Sequence, residues 1–343
     1  MAQQIQVQIH APDELRLDRV PAPVPGPRDA VVRVASCGIC GSDLGYLSLG
    51  GVAGPTGTPM PLGHEFSGVV ESVGAEVAGV APGDRVVVDP LGAGNQIGNG
   101  GSEGAFTPRL LVRNVSEGRC LIRIPDALPL ELAALAEPLG VGMQAVNRSR
   151  AKPGEKAVVF GAGPIGLAAI ATLRYRGLED VIAVDFSDTR LGVARELGAR
   201  NTVNPSRDKV GSRIRELHGT SLVMGAPMAD TDIYIEASGA APVLPQIIQR
   251  SKSGARIVVV ALHRKEIAIN FLLIMMKQLE LLGSIAQPED WNDMIEMLGQ
   301  VDLSAMITHR FPLEDFEEAL AIAQNADAGA KVMVDCGGGG AGG

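Results

Sequence analysis

The chain has 343 residues, enough for two ordinary domains, and 46% of them are hydrophobic, so a sizeable core can be buried. Aromatic residues make up only 3%, which means that this core must be built mainly from Val, Ile, Leu and Ala. The formal net charge of -9 argues against nucleic acid and anionic membrane as partners, because both bind basic patches.

The sequence shows no targeting or membrane segment. No apolar run is long enough to span a bilayer, and the first residues lack the basic stretch followed by an apolar segment that marks a secretory signal. Four cysteines are few for a secreted disulfide scaffold, so the sequence predicts a cytoplasmic protein. Residues 337–343 are nearly all glycine and predict a flexible tail.

The first part of the chain has the pattern of a compact, mostly antiparallel β domain. Short strands are predicted at 5–9, 30–34, 69–73 and 85–88. The proline-rich segment 21–27 predicts an extended surface connection, because proline forbids a helix and removes a backbone donor. Residues 92–104, glycine-rich and polar, predict a loop, and 133–145, rich in Ala and Leu, predict a helix.

A different pattern begins at Lys152-Pro153-Gly154. Buried strands are predicted at 156–160, 181–185, 202–203, 233–237, 256–260 and 279–283. Helices are predicted at 164–176, 189–197, 290–299 and 313–325, and a closing strand at 331–335. Because strands and helices alternate, the sequence predicts an α/β fold class with a doubly wound parallel sheet.

A glycine-rich turn joins the first of these strands to the first helix, with the sequence Gly161-Ala162-Gly163-Pro164-Ile165-Gly166. Gly161 permits the tight turn, Gly163 lets the backbone approach a pyrophosphate, and Gly166 allows close packing of helix on strand. The helix N-terminus, which includes Pro164 and Ile165, offers free N–H groups and a partial positive charge to the phosphates. The turn therefore predicts a dinucleotide site.

An acidic residue at the end of the next strand predicts which dinucleotide binds. Asp185 lies 19 residues after Gly166, where a carboxylate accepts hydrogen bonds from the adenosine ribose and repels a 2′-phosphate. This favours NAD over NADP. Arg190, five residues further on, is the type of residue that can accommodate such a phosphate.

Three separated residues could together bind a catalytic zinc ion. Taken alone, His64 and Glu65 would be a solvated surface pair. However, Cys40, His64 and Glu137 would together supply one sulfur, one nitrogen and one oxygen ligand and leave a fourth position open. Glu65 would be a fourth ligand or an outer group, and Asp43 is placed to hold the second nitrogen of His64.

These motifs resemble those of the zinc-dependent medium-chain alcohol dehydrogenases. The resemblance rests on Cys40-Gly41-Ser42-Asp43, Gly63-His64-Glu65-Phe66-Ser67-Gly68-Val69-Val70, Pro82-Gly83-Asp84-Arg85-Val86 and the glycine-rich turn, which occur in the family's order and cover nearly the whole chain. Within that superfamily, Glu137-Pro138-Leu139 is similar to the branch of sorbitol, butanediol and threonine dehydrogenases.

The resemblance implies a domain arrangement and roles for individual residues. It implies a GroES-like catalytic domain (1–147 and 286–336), a Rossmann NAD-binding domain (148–285), and an active site in the cleft between them. Zinc ligands would be Cys40, His64 and Glu137, with Glu65 close by; Ser42 would relay the substrate proton, and Lys331 would reach the pyrophosphate. The family forms dimers and tetramers, so a homo-oligomer is expected.

Three departures from the family pattern carry predictions of their own. Many relatives bind a structural zinc through four closely spaced cysteines, but 89–106 contains none, so one catalytic zinc per chain is expected. Gly45 stands where many relatives have a histidine that ends the proton relay. Ala286 replaces an arginine that binds polyol hydroxyls in sorbitol dehydrogenases, which favours a less polar substrate.

Together these observations predict an NAD-dependent alcohol dehydrogenase. It would transfer a hydride between NAD(H) and a small secondary alcohol or ketone, of low polarity or a diol. One alternative is a zinc-free quinone or enoyl reductase of the same superfamily, and another is a nucleotide-binding protein without turnover. The remaining histidines have no ligand-spaced partners and are expected at the surface or in loops: His10, His218, His263 and His309.

Overall fold

The computed structural model of the protein describes residues 2–115 and 120–337. Residues 338–343 of the predicted flexible tail lie outside this range. Within the described residues, no helix is both long and apolar enough to cross a membrane.

The regular elements are numbered in chain order. The strands are β1 (Gln3–Ala11), β2 (Glu14–Pro21), β3 (Ala30–Gly38), β4 (Met60–Pro61), β5 (Glu65–Val73), β6 (Arg85–Val88), β7 (Arg109–Val112), β8 (Leu121–Arg123), β9 (Lys156–Phe160), β10 (Asp180–Val184), β11 (Asn201–Val203), β12 (Thr220–Val223), β13 (Ala226–Ala229), β14 (Ile233–Glu236), β15 (Arg256–Val259), β16 (Glu280–Gly283), β17 (Ile307–Pro312) and β18 (Lys331–Asp335). The helices are α1 (Gly41–Leu49), α2 (Leu130–Ala133), α3 (Ala136–Ser149), α4 (Pro164–Tyr175), α5 (Asp188–Glu196), α6 (Val210–His218), α7 (Val243–Arg250), α8 (Phe271–Lys277), α9 (Asn292–Gln300) and α10 (Phe316–Gln324).

Contacts divide the described chain into two compact units. The first contains 2–137, Ile307–Asn325 and 331–337, and the second contains Pro138–Met306 and Ala326–Ala330. Most of α3 falls in the second unit because Gly142 packs so closely on Ala168 and Ala169 of α4 that a side chain would not fit. The sequence-based bounds place 138–147, 286–306 and 326–330 in the other domain, and those domain bounds stay a prediction.

The first unit is built on antiparallel sheets, as predicted. Its main sheet has the strand order β17-β18-β3-β5-β6-β8, with β7 also paired to β3, and a smaller sheet has the order β2-β1-β4. All pairs are antiparallel except β17 with β18. Aliphatic side chains dominate the core, which also contains a contact of Phe106 with Phe316, whose ring centroids lie 4.6 Å apart.

The second unit contains the predicted parallel sheet. Its order, β11-β10-β9-β14-β15-β16, places β9 and β14 side by side at the centre, and all neighbours run parallel. This is the doubly wound order in which ligands bind at the carboxyl ends of the central strands. The predicted fold class, a mostly antiparallel β domain with a Rossmann domain, is confirmed.

The structure contains elements that the sequence prediction lacks, among them helix α1 and the β12–β13 hairpin. Helix α1 was not predicted because Gly41 and Gly45 have low helix propensity, yet it forms with a cap at Cys40, whose N–H donates to Asp43 Oδ2 at 2.8 Å. The β12–β13 hairpin was also missed. It turns at Met224 and Gly225, both with positive φ (50° and 78°), the backbone of a tight two-residue hairpin turn.

Candidate metal and nucleotide sites

The start of α1 presents three of the predicted site residues. Cys40 is the residue before the first turn, and Ser42 and Asp43 lie within that turn. Asp43 is completely buried, and its Oδ2 accepts the hydrogen bond from the Cys40 N–H, so the carboxylate fixes the start of the helix. Asp43 Oδ1 is then the oxygen that can interact with a second residue.

That second residue is His64, which reaches the site from the entrance to β5. Gly63, just before it, has φ +96°, and a Cβ there would lie 2.8 Å from Phe106 N, so the turn requires glycine. His64 Nδ1 then lies 3.4 Å from Asp43 Oδ1, and its Nε2 lies 3.3 Å from Ser42 Oγ. The predicted orientation of His64 by Asp43 agrees with this placement.

Burial and neighbouring charge shift the pKa of His64 in opposite directions. Burial by itself lowers the pKa of His64, because the charged imidazolium loses water. The neighbouring Asp43 carboxylate opposes this, and the pKa is raised well above its usual value. The imidazole is thus held in a strongly anionic environment.

Glu65 completes a compact group of ligand atoms. Among the described residues, Cys40, His64 and Glu65 each place one possible metal-ligating atom within 4.8 Å of the other two. Glu65 is buried at the start of β5, where a side chain on its strand partner Gly38 would overlap Glu65 Oε2. The site is therefore built from α1, β5 and β3.

Lys331 also lies at this site, buried beside Glu65. Its Nζ lies 2.6 Å from Glu65 Oε2 and 3.0 Å from the carbonyl oxygen of Ile39. Burial by itself lowers the pKa of Lys331, but the charge and hydrogen bond of Glu65, together with the charges of Cys40 and Glu137, outweigh it and the pKa is raised. The ammonium group of Lys331 is thus bound by two acceptors inside the first unit, and its contact with the pyrophosphate stays a prediction.

The donor set fits a zinc ion. A cysteine sulfur, an imidazole nitrogen and a carboxylate oxygen are the ligand types of catalytic zinc sites. Glu65 Oε1 is buried and accepts no hydrogen bond within the described part of the chain, so a bound cation would satisfy it. Glu137, the other predicted ligand, lies in the first turn of α3 and is not in the 4.8 Å group, although its charge contributes to the raised pKa of Lys331.

The glycine-rich turn in the second unit has the predicted geometry. It follows β9 directly, and α4 begins at Pro164 with Gly163 as its N-terminal cap. Gly161 has φ +93°, and a side chain on Gly166 would overlap the Gly161 carbonyl oxygen. Ile165 lies in the first turn of α4, so all five predicted fingerprint residues lie at this strand-to-helix junction.

Asp185 and Arg190 lie beside this turn. Asp185 Oδ2 accepts a hydrogen bond from Ala162 N at 2.7 Å, and its Oδ1 accepts one from Ser187 N at 2.8 Å. Arg190 Nε donates to Gly329 O at 2.9 Å. Both side chains line a cavity of about 330 Å³ together with Gly161 and Gly163, at the carboxyl edge of the parallel sheet. The predicted nucleotide residues other than Lys331 are thus brought together.

Sequence reasoning missed the contacts that His218 and His263 make. His218, expected at the surface, is 2% exposed and contacts Thr231 Oγ1 through Nδ1 at 2.8 Å. His263, expected in a loop without partners, lies in a loop, but its Nε2 lies 2.8 Å from Glu236 Oε2. The available signal was Glu236 itself, an acidic residue at the end of a predicted central strand.

Comparisons with known proteins agree with this geometry. The family described as "Alcohol dehydrogenase GroES-like domain" matches residues 26–124, and "Zinc-binding dehydrogenase" matches 164–300. Human sorbitol dehydrogenase is 32% identical over 96% of this chain and 94% of that protein. The structure of 2R,3R-butanediol dehydrogenase from Bacillus subtilis is 31% identical, covers 97% of this chain and 99% of that chain, and has a TM-score of 0.84. A zinc-binding dehydrogenase from Sinorhizobium meliloti, solved with NADP, is 27% identical, covers 98% of this chain and 100% of that one, and has the same TM-score of 0.84.

Proposed function

The chain belongs to the zinc-type medium-chain alcohol dehydrogenase superfamily, and on that premise we propose that it oxidises a small secondary alcohol or diol to the ketone with NAD, or catalyses the reverse reduction. The observation that carries the proposal is the group of half-buried Cys40 with buried His64 and Glu65, in which Glu65 Oε1 has no hydrogen bond among the described residues. A zinc-free reductase would not require sulfur, nitrogen and oxygen ligands gathered at one site.

Cys40, His64 and Glu65 would hold the zinc ion, and Glu137 is retained as a further predicted ligand. When bound, zinc supplies Lewis acidity toward the substrate oxygen, and the nicotinamide supplies the hydride acceptor. Asp43 holds the ring of His64, and Lys331 holds Glu65 Oε2, so the donors stay in place without zinc.

Ser42 is the residue that would move the proton. Its hydroxyl lies beside His64 Nε2, at the edge of the donor group, and it can both accept and donate. In the oxidation, the bound nicotinamide would supply the acceptor for the hydride of the carbinol carbon, and Ser42 would accept the proton of the alcohol oxygen. Because Gly45 offers no side chain to continue the relay, Ser42 would pass this proton to water or to a cofactor hydroxyl.

The cofactor would be bound in the second unit by the glycine-rich turn. The N-terminus of α4 would face the pyrophosphate, and Asp185 would accept the ribose hydroxyls. Asp185 supports NAD as the cofactor, and Arg190 would lie beside the phosphate and ribose groups. Ala286, in place of the family's arginine, supports a substrate with few hydroxyl groups.

The chain would act as a homo-oligomer, a dimer or a tetramer, in the cytoplasm. β16 is an edge strand of the parallel sheet, and α8 just before it exposes Phe271 (71%) and Met275 (66%). An exposed strand edge beside apolar side chains favours pairing with a second copy. Light scattering would measure the mass of the oligomer, and Met275→Lys should lower it.

All four cysteines are free thiols, which supports the cytoplasm, a reducing compartment.

The experiment that tests the function measures zinc and turnover together. Purified protein should contain one zinc per chain and reduce NAD with a panel of secondary alcohols and diols. Cys40→Ala and His64→Ala should lose both zinc and turnover. Cys120→Ala, which changes a buried cysteine outside the donor group, is the control and should keep both. Turnover that persists in a zinc-free His64→Ala protein would refute the proposal.

A further inference from the structure

A completely buried carboxylate lies at the carboxyl end of β14, behind the nucleotide cavity. Glu236 Oε1 accepts hydrogen bonds from Ser238 N at 3.0 Å and Gly239 N at 3.1 Å, and also from the Ser238 hydroxyl. Its Oε2 accepts the hydrogen bond of His263 Nε2 at 2.8 Å. Both oxygens are thus satisfied, and His263 is the donor to Oε2.

The turn that Glu236 holds is packed against the glycine fingerprint. Ala237 N donates to Phe160 O at 2.8 Å, immediately before the fingerprint begins. A Cβ on Gly161 would lie 2.8 Å from Ala237 C and from Ser238 Cα, so the two turns are in direct contact. Ala237 and Ser238 also line the same cavity as Gly161. A shift of this turn would therefore change the wall of the cofactor site.

His263 comes from the chain segment that leaves β15. Val260 N and Ala261 N donate to the Glu236 carbonyl oxygen at 3.0 and 3.1 Å, which brings this segment beside Glu236. Beyond it, the chain has no helix or strand until α8 begins. His263 is 14% exposed in its side chain, whereas Glu236 is 0% exposed, so the imidazole lies between the carboxylate and solvent.

We propose that His263 is a positioning residue for the cofactor: through Glu236 it holds the 237–239 turn against the fingerprint. A buried carboxylate oxygen that loses its donor must recruit water or rotate away. Rotation of Glu236 would also break the bonds from Ser238 and Gly239, and the turn would loosen beside Gly161. His263 therefore contributes to affinity for the dinucleotide without contacting it. The inference rests on the proposed function, because it concerns the NAD site.

The test measures NADH binding to the zinc-loaded protein by fluorescence titration. His263→Ala should raise the Kd for NADH about tenfold, the factor expected when a charge-assisted hydrogen bond is lost. His263→Gln, whose amide can still donate to Glu236, should restore most of the affinity. His10→Ala is the matched control: His10 Nε2 contacts Asp18 Oδ2 at 2.6 Å in the other unit, and its loss should leave the Kd unchanged. At saturating NAD, kcat of His263→Ala should stay near that of the wild type.

The outcomes are distinct. An unchanged Kd in His263→Ala overturns the inference, and so does a Kd in His263→Gln as weak as in His263→Ala, since that result assigns the effect to side-chain volume. If the alanine variant does not fold, His263→Asn, which keeps an amide but shortens it beyond reach of Oε2, carries the same expectation. Wild-type protein that does not bind NADH would refute the proposed function itself.

Discussion

Lys331 Nζ lies 2.6 Å from Glu65 Oε2, and each of the two side chains is 1% exposed. The residues are 266 positions apart, and β18 and β5 bring them together on either side of β3. In a buried ion pair, mutual attraction offsets the cost of desolvation only while both partners are present. Lys331 thus supplies the counter-charge of Glu65 at a donor group that also contains Cys40 and His64, and Glu65 Oε1 is left without a hydrogen bond among the described residues.

Lys331→Met should destabilise the metal-free protein strongly. The substitution leaves the Glu65 carboxylate buried without its counter-charge, a change that typically costs about 3–5 kcal/mol. Urea unfolding of protein treated with a chelator measures this loss in the free energy of unfolding. Bound zinc supplies positive charge to Glu65, so the loss should be smaller in zinc-loaded protein.

The matched control for Lys331 is an exposed ion pair in the same unit. Arg109 Nε lies 2.8 Å from Glu71 Oε2, and both side chains are about two-fifths exposed (43% and 38%). Arg109→Met should cost less than about 1 kcal/mol, because water screens this pair. A loss of that small size for Lys331→Met would contradict the assignment of Lys331 as the counter-charge of Glu65.

Zinc content should distinguish the two glutamates predicted as ligands. Glu65 shares the 4.8 Å group with Cys40 and His64, whereas Glu137 does not. Glu65→Gln should therefore lower the zinc content well below one ion per chain, since a neutral amide is a poorer zinc ligand than a carboxylate. Glu137→Gln should retain more zinc. Elemental analysis after dialysis gives both numbers, and the reverse order would identify Glu137 as the direct ligand.

The sequence predicted those parts of the molecule that local patterns encode. Strand β9 was predicted at the residues where it is found, because a run of apolar, β-branched residues between turn signals is specific for a buried strand. Cys40 and His64 were predicted from motifs. The contact of Lys331 with Glu65 was not, because no local pattern links residues so distant in the chain. The same holds for His263 and Glu236, which two neighbouring parallel strands bring together.

Asp185→Ser should change the preference between NAD and NADP. The carboxylate lines the nucleotide cavity and repels a 2′-phosphate, whereas serine removes the charge and leaves Arg190 nearby. We expect the ratio of kcat/KM for NAD to that for NADP to fall by about tenfold or more, from both a loss with NAD and a gain with NADP. Steady-state kinetics with each cofactor give this ratio. Asp188→Ser, an exposed aspartate at the start of α5, is the control and should leave the ratio unchanged.

His218 should make the stability of the protein fall as the pH is lowered below neutral. Burial lowers the pKa of His218 to about 4, and the charge of Lys156 adds to the lowering. Asp180, 3.6 Å from His218 Nε2, opposes this change, as do Asp230 and Asp232. Between pH 4 and the ordinary value of 6.5, the unfolded chain binds a proton that the folded protein does not. Stability is therefore full above that window and decreases by up to about 3 kcal/mol as the pH falls through it.

Urea unfolding at several pH values across the window measures the slope of the free energy of unfolding against pH. His218→Gln should flatten it, whereas His309→Gln, the same change at a partly exposed histidine, should not; an unchanged slope in His218→Gln would assign the acid sensitivity to other groups.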